Sequence, residues 1–314
     1  MGFYRVLTIV AVLALTVLAI PSTRAVDLSH KIEELNYYEW TAVAPVVIAG
    51  KSLGENGRYI EFRVNRALRG PVEPGEIIRI DLKYANRNRR RSDYRHALKM
   101  PQGTDFIVVL ENPQPARDGC RVFRMARGIR SVRELPLEAQ QGVLDAVATF
   151  LEIQNYKNDT VTWKRMGQML EATNPLVVRN ALEQMFKFRR GTLDHLLSLR
   201  PLFDHPDPTI REQAARLAGQ IVGRHGTDQV VPEEEALMAE LIGVARRDDT
   251  VESRVAATQA LAAFGVARVE TVLDEIAATD PDQNVRYSAQ KILLEYRQER
   301  ELEAQRPRLD ETSN

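Results

Sequence analysis

The sequence has few of the residue patterns on which catalysis and metal binding usually depend. Cys120 is the only cysteine among 314 residues, so no disulfide can form within the chain and stability must come from packing. The five histidines include no pair at the i, i+4 spacing of a helix, which excludes the common zinc motifs. Glycine-rich phosphate loops and the GxSxG serine motif are also absent. We therefore expect a protein that is not an enzyme and has no resident metal or cofactor.

Cys120 itself has two interpretations. It stands next to an alternating stretch of apolar residues, so the simpler interpretation is a small buried hydrophobic residue in a strand. The other is an intermolecular bridge or a reactive thiol, and no neighbouring residue favours it.

The first 25 residues have the composition of a targeting segment. Arg5 precedes a continuous apolar run at 6–20, and small residues follow as far as Ala25 at the positions of a cleavage site. This predicts a signal peptide over residues 1–25 and export to the periplasm or the extracellular space, with no membrane span after cleavage. The run is shorter than the ~20 residues of a spanning helix. An uncleaved N-terminal anchor is the alternative.

The sequence has no net charge, but this balance conceals two halves of opposite sign. Residues 26–137 contain 20 Lys and Arg against 14 Asp and Glu, a difference of +6, whereas residues 138–314 contain 21 against 29, a difference of −8. Because a phosphate backbone requires a basic groove, the acidic half is not expected to bind nucleic acid.

A pattern recurs in the acidic half around four arginines. They are Arg179, Arg211, Arg254 and Arg286, at intervals of 32, 43 and 32 residues. Each follows a short segment such as Asp280-Pro281, whose residue types favour the start of a helix. Apolar residues then recur three and four positions apart, as at Ala289 and Leu293. Periods of this length are typical of helical arrays, so we predict an all-α solenoid over residues 137–300.

Over roughly residues 137–296, this pattern resembles HEAT repeats, especially the short bacterial kind related to phycocyanobilin-lyase-type repeats. In that family an aspartate and an arginine near the start of the second helix join neighbouring repeats. The resemblance therefore implies a structural role for the four arginines, and direct ligand contact is the alternative. The first copy departs from the pattern, with Leu182 in the small-residue position and Phe186 and Phe188 after it, as expected of a capping repeat.

Residues 26–135 follow a different period. Apolar and polar residues alternate at 59–64, 77–82 and 121–125, and apolar runs occupy 43–49 and 106–110. Such short segments, separated by glycine and proline turns, predict five or six strands. We expect an α+β multidomain protein in which a small antiparallel β-barrel or sandwich precedes the solenoid. The segment at 131–137 is the predicted linker, and the charged tail at 303–314 is expected to be disordered.

Parts of this half resemble the exported OB-like barrels of the netrin and tissue-inhibitor group. The similarity rests on 46–51, 60–70 and 103–110. Inhibitors of that group place an N-terminal cysteine on a protease zinc ion, and this chain has no such cysteine, so the resemblance implies a fold and not that activity.

One segment of the β-rich half is strongly basic. Residues 84–99 contain five clustered arginines, namely Arg87, Arg89, Arg90, Arg91 and Arg95, together with tyrosine and histidine. Cations beside aromatic rings can hold phosphate or other anionic groups. The sequence thus predicts an anion-binding loop, with a solvated loop that faces water or the acidic half as the alternative.

A second candidate cluster lies near a repeat junction. His195 and His205 each follow an aspartate, Asp194 and Asp204, and such residues could bind a metal. Helix capping and surface charge explain the two aspartates better.

Two functions remain open at this stage. The first is an exported, non-enzymatic interaction or scaffold protein that holds a protein partner on the solenoid face. The second is a bilin-lyase-like or other ligand-modifying enzyme, suggested only by the resemblance of the repeats. We favour the first function, with a possible anionic partner on the basic loop.

Overall fold

The computed structural model describes residues 36–82, 99–115, 120–225 and 232–305. The predicted signal peptide and the five loop arginines lie outside these ranges. So does the predicted tail from residue 306 onwards. The described residues form a mixed α+β protein, with a sheet followed by a series of helices. Among them, no helix is both long and apolar enough to cross a membrane.

The described residues belong to two compact units whose order along the chain is unexpected. One unit contains 44–138, and the other contains 37–43 together with the residues from 139 onwards. The predicted β-rich domain covered 26–135 without a break. Helix α1 (Tyr37–Ala42) lies inside that range but belongs to the helical unit. The sheet unit therefore stands between two segments of the helical unit in sequence.

Polar side chains of the helical unit explain why α1 belongs there. Asn180 accepts a hydrogen bond from the backbone N–H of Tyr38 at 3.1 Å. Gln154 donates to the carbonyl of Tyr38 at 2.6 Å and to Thr41 Oγ1 at 3.1 Å. Because a six-residue helix is marginal in isolation, these distant contacts supply partners that the local sequence cannot.

Seven strands form the sheet unit. They are β1 (Val46–Asn56), β2 (Tyr59–Arg69), β3 (Ile77–Asp81), β4 (Asp105–Leu110), β5 (Gln114–Pro115), β6 (Arg121–Arg124) and β7 (Val132–Glu134). Their order across the sheet is β5-β6-β3-β2-β1-β4-β7. The β3/β6 pair is parallel and the other pairs are antiparallel. Each predicted strand has a counterpart, while β5 and β7 were not predicted because each is only two or three residues long.

The residues that form the core of this unit are spaced two positions apart along its strands. Along β2, Ile60, Phe62 and Val64 are buried and pack with Ile78 and Ile80 of β3. Strand β1 bends where its register against β2 shifts. One shift lies beside Gly50, where a Cβ atom would collide with the carbonyl oxygen of Arg63. Only glycine permits this close approach of β1 and β2.

The strand order is that of an open sheet with β5 and β7 at its edges, so the predicted OB-like barrel is not confirmed. Beyond the regular ladders, Leu110 and Met125 form an isolated antiparallel bridge. Two backbone hydrogen bonds flank it, from Glu111 N to the Arg124 carbonyl at 2.9 Å and from Ala126 N to the Val109 carbonyl at 3.2 Å.

The rest of the chain is helical. The helices are α2 (Gln140–Gln154), α3 (Asp159–Gln168), α4 (Pro175–Lys187), α5 (His195–Leu199), α6 (Pro208–His225), α7 (Pro232–Arg247), α8 (Val251–Ala262), α9 (Val266–Thr279) and α10 (Gln283–Gln305). Short 3₁₀ turns follow α3, at Met169–Glu171, and α5, at Arg200–Asp204. Helix α10 continues through Gln305, past the predicted start of the tail at 303.

The arginine-bearing helices stack in succession. Helix α4 packs against α6, α6 against α8, and α8 against α10. Ala257 of α8 and Ala289 of α10 are fully buried, which confirms their predicted burial. Small side chains at these positions allow the helix backbones to approach closely.

The closest approach of α6 and α8 gives a stability prediction. A Cβ atom at Gly219 would lie 2.7 Å from the Cα of Ala260, whereas one at Gly223, a turn later on α6, would lie 3.6 Å from the Cβ of Ala263. We expect Gly219→Ala to lower the free energy of unfolding, because overpacking costs about 1–3 kcal/mol. We expect Gly223→Ala to raise it by about 0.5–1 kcal/mol through helix propensity. Urea denaturation of both variants checks the pair, and equal effects would contradict the packing.

Candidate functional site

Three of the four repeat arginines hold the turn that precedes their own helix. The Nη1 of Arg211 donates to the carbonyl of His205 at 2.9 Å, and that of Arg254 donates to the carbonyl of Asp248 at the same distance. Arg286 donates to the carbonyl of Asp280 at 2.6 Å. In each case the acceptor lies six residues upstream. The guanidinium thus satisfies carbonyls that the helix itself cannot reach.

Arg211 and Arg254 also join consecutive repeats through carboxylates. The Nε and Nη2 of Arg211 donate to the two oxygens of Asp248 at 2.7 and 3.0 Å. Arg254 makes the same two bonds to Asp280 at 3.0 and 3.2 Å. All four side chains are buried, and bidentate bonds of this kind are among the strongest that side chains make. We call this series the arginine ladder.

The ends of the arginine ladder differ from its middle. Arg286 keeps its carbonyl bonds, but no carboxylate of the described residues contacts it. Arg179 is 8% exposed, and within the described ranges it has neither an ion pair nor a hydrogen bond. The partners Asp248 and Asp280 each lie six residues before the next repeat arginine, and the equivalent position for Arg179 lies six residues before Arg211. That position is His205, whose Nδ1 accepts from Asp207 N at 3.0 Å, as Asp248 accepts from Thr250 N.

The histidine at position 205, where the later repeats have an aspartate, predicts a stabilising variant. His205→Asp keeps an acceptor for the Asp207 N–H and places a carboxylate at the position that pairs in the later repeats. We expect the free energy of unfolding to rise by about 1 kcal/mol, measured by urea denaturation. In an Arg179→Gln background the gain should vanish, and a gain that persists there would contradict the pairing.

The carboxylate of Asp248 makes the free energy of unfolding depend on pH. Burial alone would raise its pKa, but hydrogen bonds from Arg211 and Thr250 outweigh burial and hold the pKa at about 2. Because this pKa is lower in the folded state than the value of about 3.9 in the unfolded state, ionised Asp248 stabilises the fold at pH values above about 3.9. The stabilisation is lost as the pH falls through about 2. Between pH 5 and pH 2 the wild type should lose on the order of 2 kcal/mol more than Asp248→Asn. Urea denaturation across this range checks the difference, and parallel curves would contradict it.

A second feature is a groove between α3 and α5, with a volume of about 770 Å³. The loop between α4 and α5 and the end of α6 complete it. We call it the Trp163 groove. Six of its lining residues matter here: Trp163, Lys164, Arg189, Arg190, His195 and Arg224.

Trp163 is held in place by its polar edge and by a cation. Its Nε1 donates to Asp159 Oδ1 at 2.9 Å, while Arg190 bonds the other oxygen of Asp159 at 2.8 Å. The guanidinium of Arg190 lies 5.4 Å from the centre of the indole ring. The ring of Phe188 lies 5.8 Å from it on a tilted plane. The indole is thus fixed without being enclosed, since Trp163 remains half-buried.

The loop at the rim of the groove is also ordered by a side chain. Arg224 donates to the carbonyls of Arg189 and Gly191. Arg189 has a φ of 53°, in the left-handed region that few residues other than glycine adopt. A backbone held in this region by hydrogen bonds fixes the direction of the Cα–Cβ bond at the rim. The long side chain of Arg189 is exposed.

His195 lies at the floor of the groove. Its Nδ1 accepts from Thr192 N at 3.0 Å, so the neutral ring carries its proton on Nε2. Burial lowers the pKa of His195 in spite of the opposing effects of Asp194 and Thr192, which favours the neutral ring. The Nε2 atom lies over Gly167, where a Cβ atom would collide with it. No acceptor for this N–H exists among the described residues.

The net charge of the Trp163 groove is opposite in sign to the net charge of the helical half. Its lining contains four cations (Lys164, Arg189, Arg190 and Arg224) and three acids (Asp159, Glu171 and Asp194), a difference of +1. Ser198 donates to Glu171 at 2.9 Å, and Asp159 is bonded as described above. Within the described ranges, the side chains of Lys164 and Arg189 make no hydrogen bond or ion pair.

The sequence-predicted site residues are distributed as follows. The five loop arginines lie outside the described ranges and therefore have no structural account. No group of three or more His, Cys, Asp or Glu in the described residues could hold a metal, and His195 and Asp194 belong to the Trp163 groove. Cys120 is half-buried and precedes β6, which differs from the buried strand position that was predicted.

Comparison with known proteins gives little further information. No protein-family model matches the sequence, and no curated protein matches it. Among solved structures, an engineered protein aligns over 49% of this chain and 74% of its own, with 17% identity and a TM-score of 0.35. The complex of CpcE and CpcF of phycocyanin lyase from Nostoc sp. PCC7120 aligns over 48% of this chain and 89% of its own, with 16% identity and a TM-score of 0.36. Likenesses at such low scores carry no conclusion about activity, ligand or partner.

Proposed function

We propose that this chain is an exported, non-enzymatic interaction protein whose helical unit holds a protein partner at the Trp163 groove. One observation carries the proposal. The exposed ring of Phe188 packs beside Trp163 at a groove whose net charge differs in sign from that of the helical half. Phe188 is 52% exposed, Leu193 on the same loop is 37% exposed, and Phe186 near the end of α4 is 39% exposed. Apolar side chains grouped with polar neighbours mark surfaces that bind other proteins.

Two finer structural proposals accompany the function. The helical unit is a HEAT-type solenoid. The stacking of the arginine-bearing helices and the arginine ladder support this proposal. The sheet unit has an OB-like arrangement of strands that stays open at its edges, and the Leu110–Met125 bridge, which joins β4 to the residue after β6, supports this proposal. Export is supported by the composition of residues 1–25 alone.

Site-specific photo-crosslinking of the full chain tests the function. A benzophenone side chain at Phe188 should crosslink one protein reproducibly in an envelope or culture-fluid extract. The matched control is Tyr287, which is 66% exposed on α10 and should give no such product. The Phe188 crosslink should disappear in a Trp163→Ala background. Crosslinks from Arg90 alone would assign the partner to the basic loop and overturn the proposal for the groove.

A further inference from the structure

The Trp163 groove combines three features that suit one kind of partner residue. The indole supplies an apolar platform. Within the described residues, the cations of Lys164 and Arg189 have no ion-pair partner, and the half-buried Nε2–H of His195 has no acceptor. A ligand oxygen that accepts from this half-buried N–H would form a hydrogen bond that is partly shielded from competing water.

We infer that the Trp163 groove binds an acidic peptide segment, in which a carboxylate accepts from His195 Nε2 and pairs with Lys164 and Arg189 while a neighbouring apolar side chain covers Trp163. This inference rests on the proposed function and identifies the chemistry of its partner. A volume of about 770 Å³ exceeds what a carboxylate alone would fill. The exposed Phe188 beside Trp163 extends the apolar surface beyond a single residue.

Charge complementarity favours a carboxylate over a cationic or neutral segment. Two of the three groove acids are already bonded, Asp159 to Trp163 and Arg190, and Glu171 to Ser198. The third, Asp194, is exposed and interacts with His195 through its charge. Long cationic side chains with no partner in the described residues are available to an incoming anion without first breaking an ion pair. The helical half has a net charge of −8, so an acidic segment is attracted to this groove and repelled by the surroundings. This difference in net charge directs an acidic segment to the groove.

A direct binding assay on the full chain tests the inference. The probe is a fluorescently labelled hexapeptide of alternating leucine and glutamate, and its matched control has glutamine in place of glutamate. We expect the glutamate peptide to bind at least about tenfold more tightly, a difference of 1.4 kcal/mol. Its affinity should fall when the salt is raised to about 0.5 M, because exposed charges are then screened. Equal binding of the two peptides would overturn the inference while leaving the crosslinking result for the proposed function intact.

Three variants locate the binding site. Lys164→Ser and Arg189→Asn each remove a cation from an exposed position, and asparagine tolerates the left-handed backbone at 189. Gly167→Ala displaces His195 and should weaken binding even though alanine favours the helix. Lys291→Ser, an exposed cation on α10, is the control that should bind as wild type does. Wild-type affinity in all three groove variants would refute the site.

Competition separates a peptide site from a site for free anions. Acetate and inorganic phosphate, added at the concentration at which unlabelled peptide displaces the probe, should displace little of it. If either anion competes as well as the peptide, the groove is a small-anion site and the peptide assignment is wrong. A failed peptide assay with a positive Phe188 crosslink would likewise reject the carboxylate chemistry and retain the partner.

Discussion

Replacing Arg211 with alanine is expected to lower the free energy of unfolding by about 3–5 kcal/mol, because it leaves the buried carboxylate of Asp248 without its partner. Arg211 and Asp248 have side chains that are 10% and 5% exposed. The loss therefore combines a charge-assisted pair with the desolvation of the remaining acid. It also releases the carbonyl of His205, which Arg211 caps within its own repeat. Urea denaturation of the full chain measures the change.

Arg286→Ala is the matched control for this experiment. Arg286 makes the equivalent carbonyl bonds but contacts no carboxylate of the described residues, so its loss should cost only about 1 kcal/mol. A double-mutant cycle with Asp248→Asn should return a coupling energy of at least about 1 kcal/mol. Equal losses in Arg211→Ala and Arg286→Ala would contradict the claim that the carboxylate bond joins the repeats.

Ala289→Arg is expected to be the other strongly destabilising change, at a cost of several kcal/mol. Ala289 is fully buried on α10, and α10 packs against both α8 and α9. A long cation at this fully buried position has no space and loses its contact with water. The helical unit should lose its cooperative transition first, which circular dichroism during thermal unfolding would record.

Gln290, which follows Ala289, supplies the control for the Ala289→Arg variant. Gln290 is exposed, so Gln290→Arg adds the same side chain one position away and should change stability by no more than about 0.5 kcal/mol. A melting temperature for Ala289→Arg within a degree or so of the wild-type value would mean that the proposed repeat register is wrong.

Some functional features could be predicted from local sequence and others could not. The arginine ladder was predictable in outline, because its members recur with the helix starts. Asp248 as the partner of Arg211 was not, since the two residues are 37 positions apart and become neighbours only when the repeats stack. The Trp163 groove was missed for the same reason. Trp163 is separated from Arg190 and His195 by the whole of α4, and no motif joins the three residues.

Helix α1 shows a different limit. Its sequence at 37–42 is only six residues long, so local propensity could not predict that it is helical. Asn180 and Gln154 decide it by bonding its backbone from more than a hundred positions away. The assignment of α1 to the helical unit follows from those bonds.

The sequence by itself determined the division into an α-helical and a β-strand half, the repeat spacing and the burial of Ala257 and Ala289. It could do so because each depends on periodicity and cap residues that act over one or two helical turns. Only the tertiary structure decided the open order of the sheet, the lack of an ion-pair partner for Arg179 among the described residues, and the Trp163 groove. Each of these depends on which distant side chains become neighbours, and that depends on the packing of whole elements.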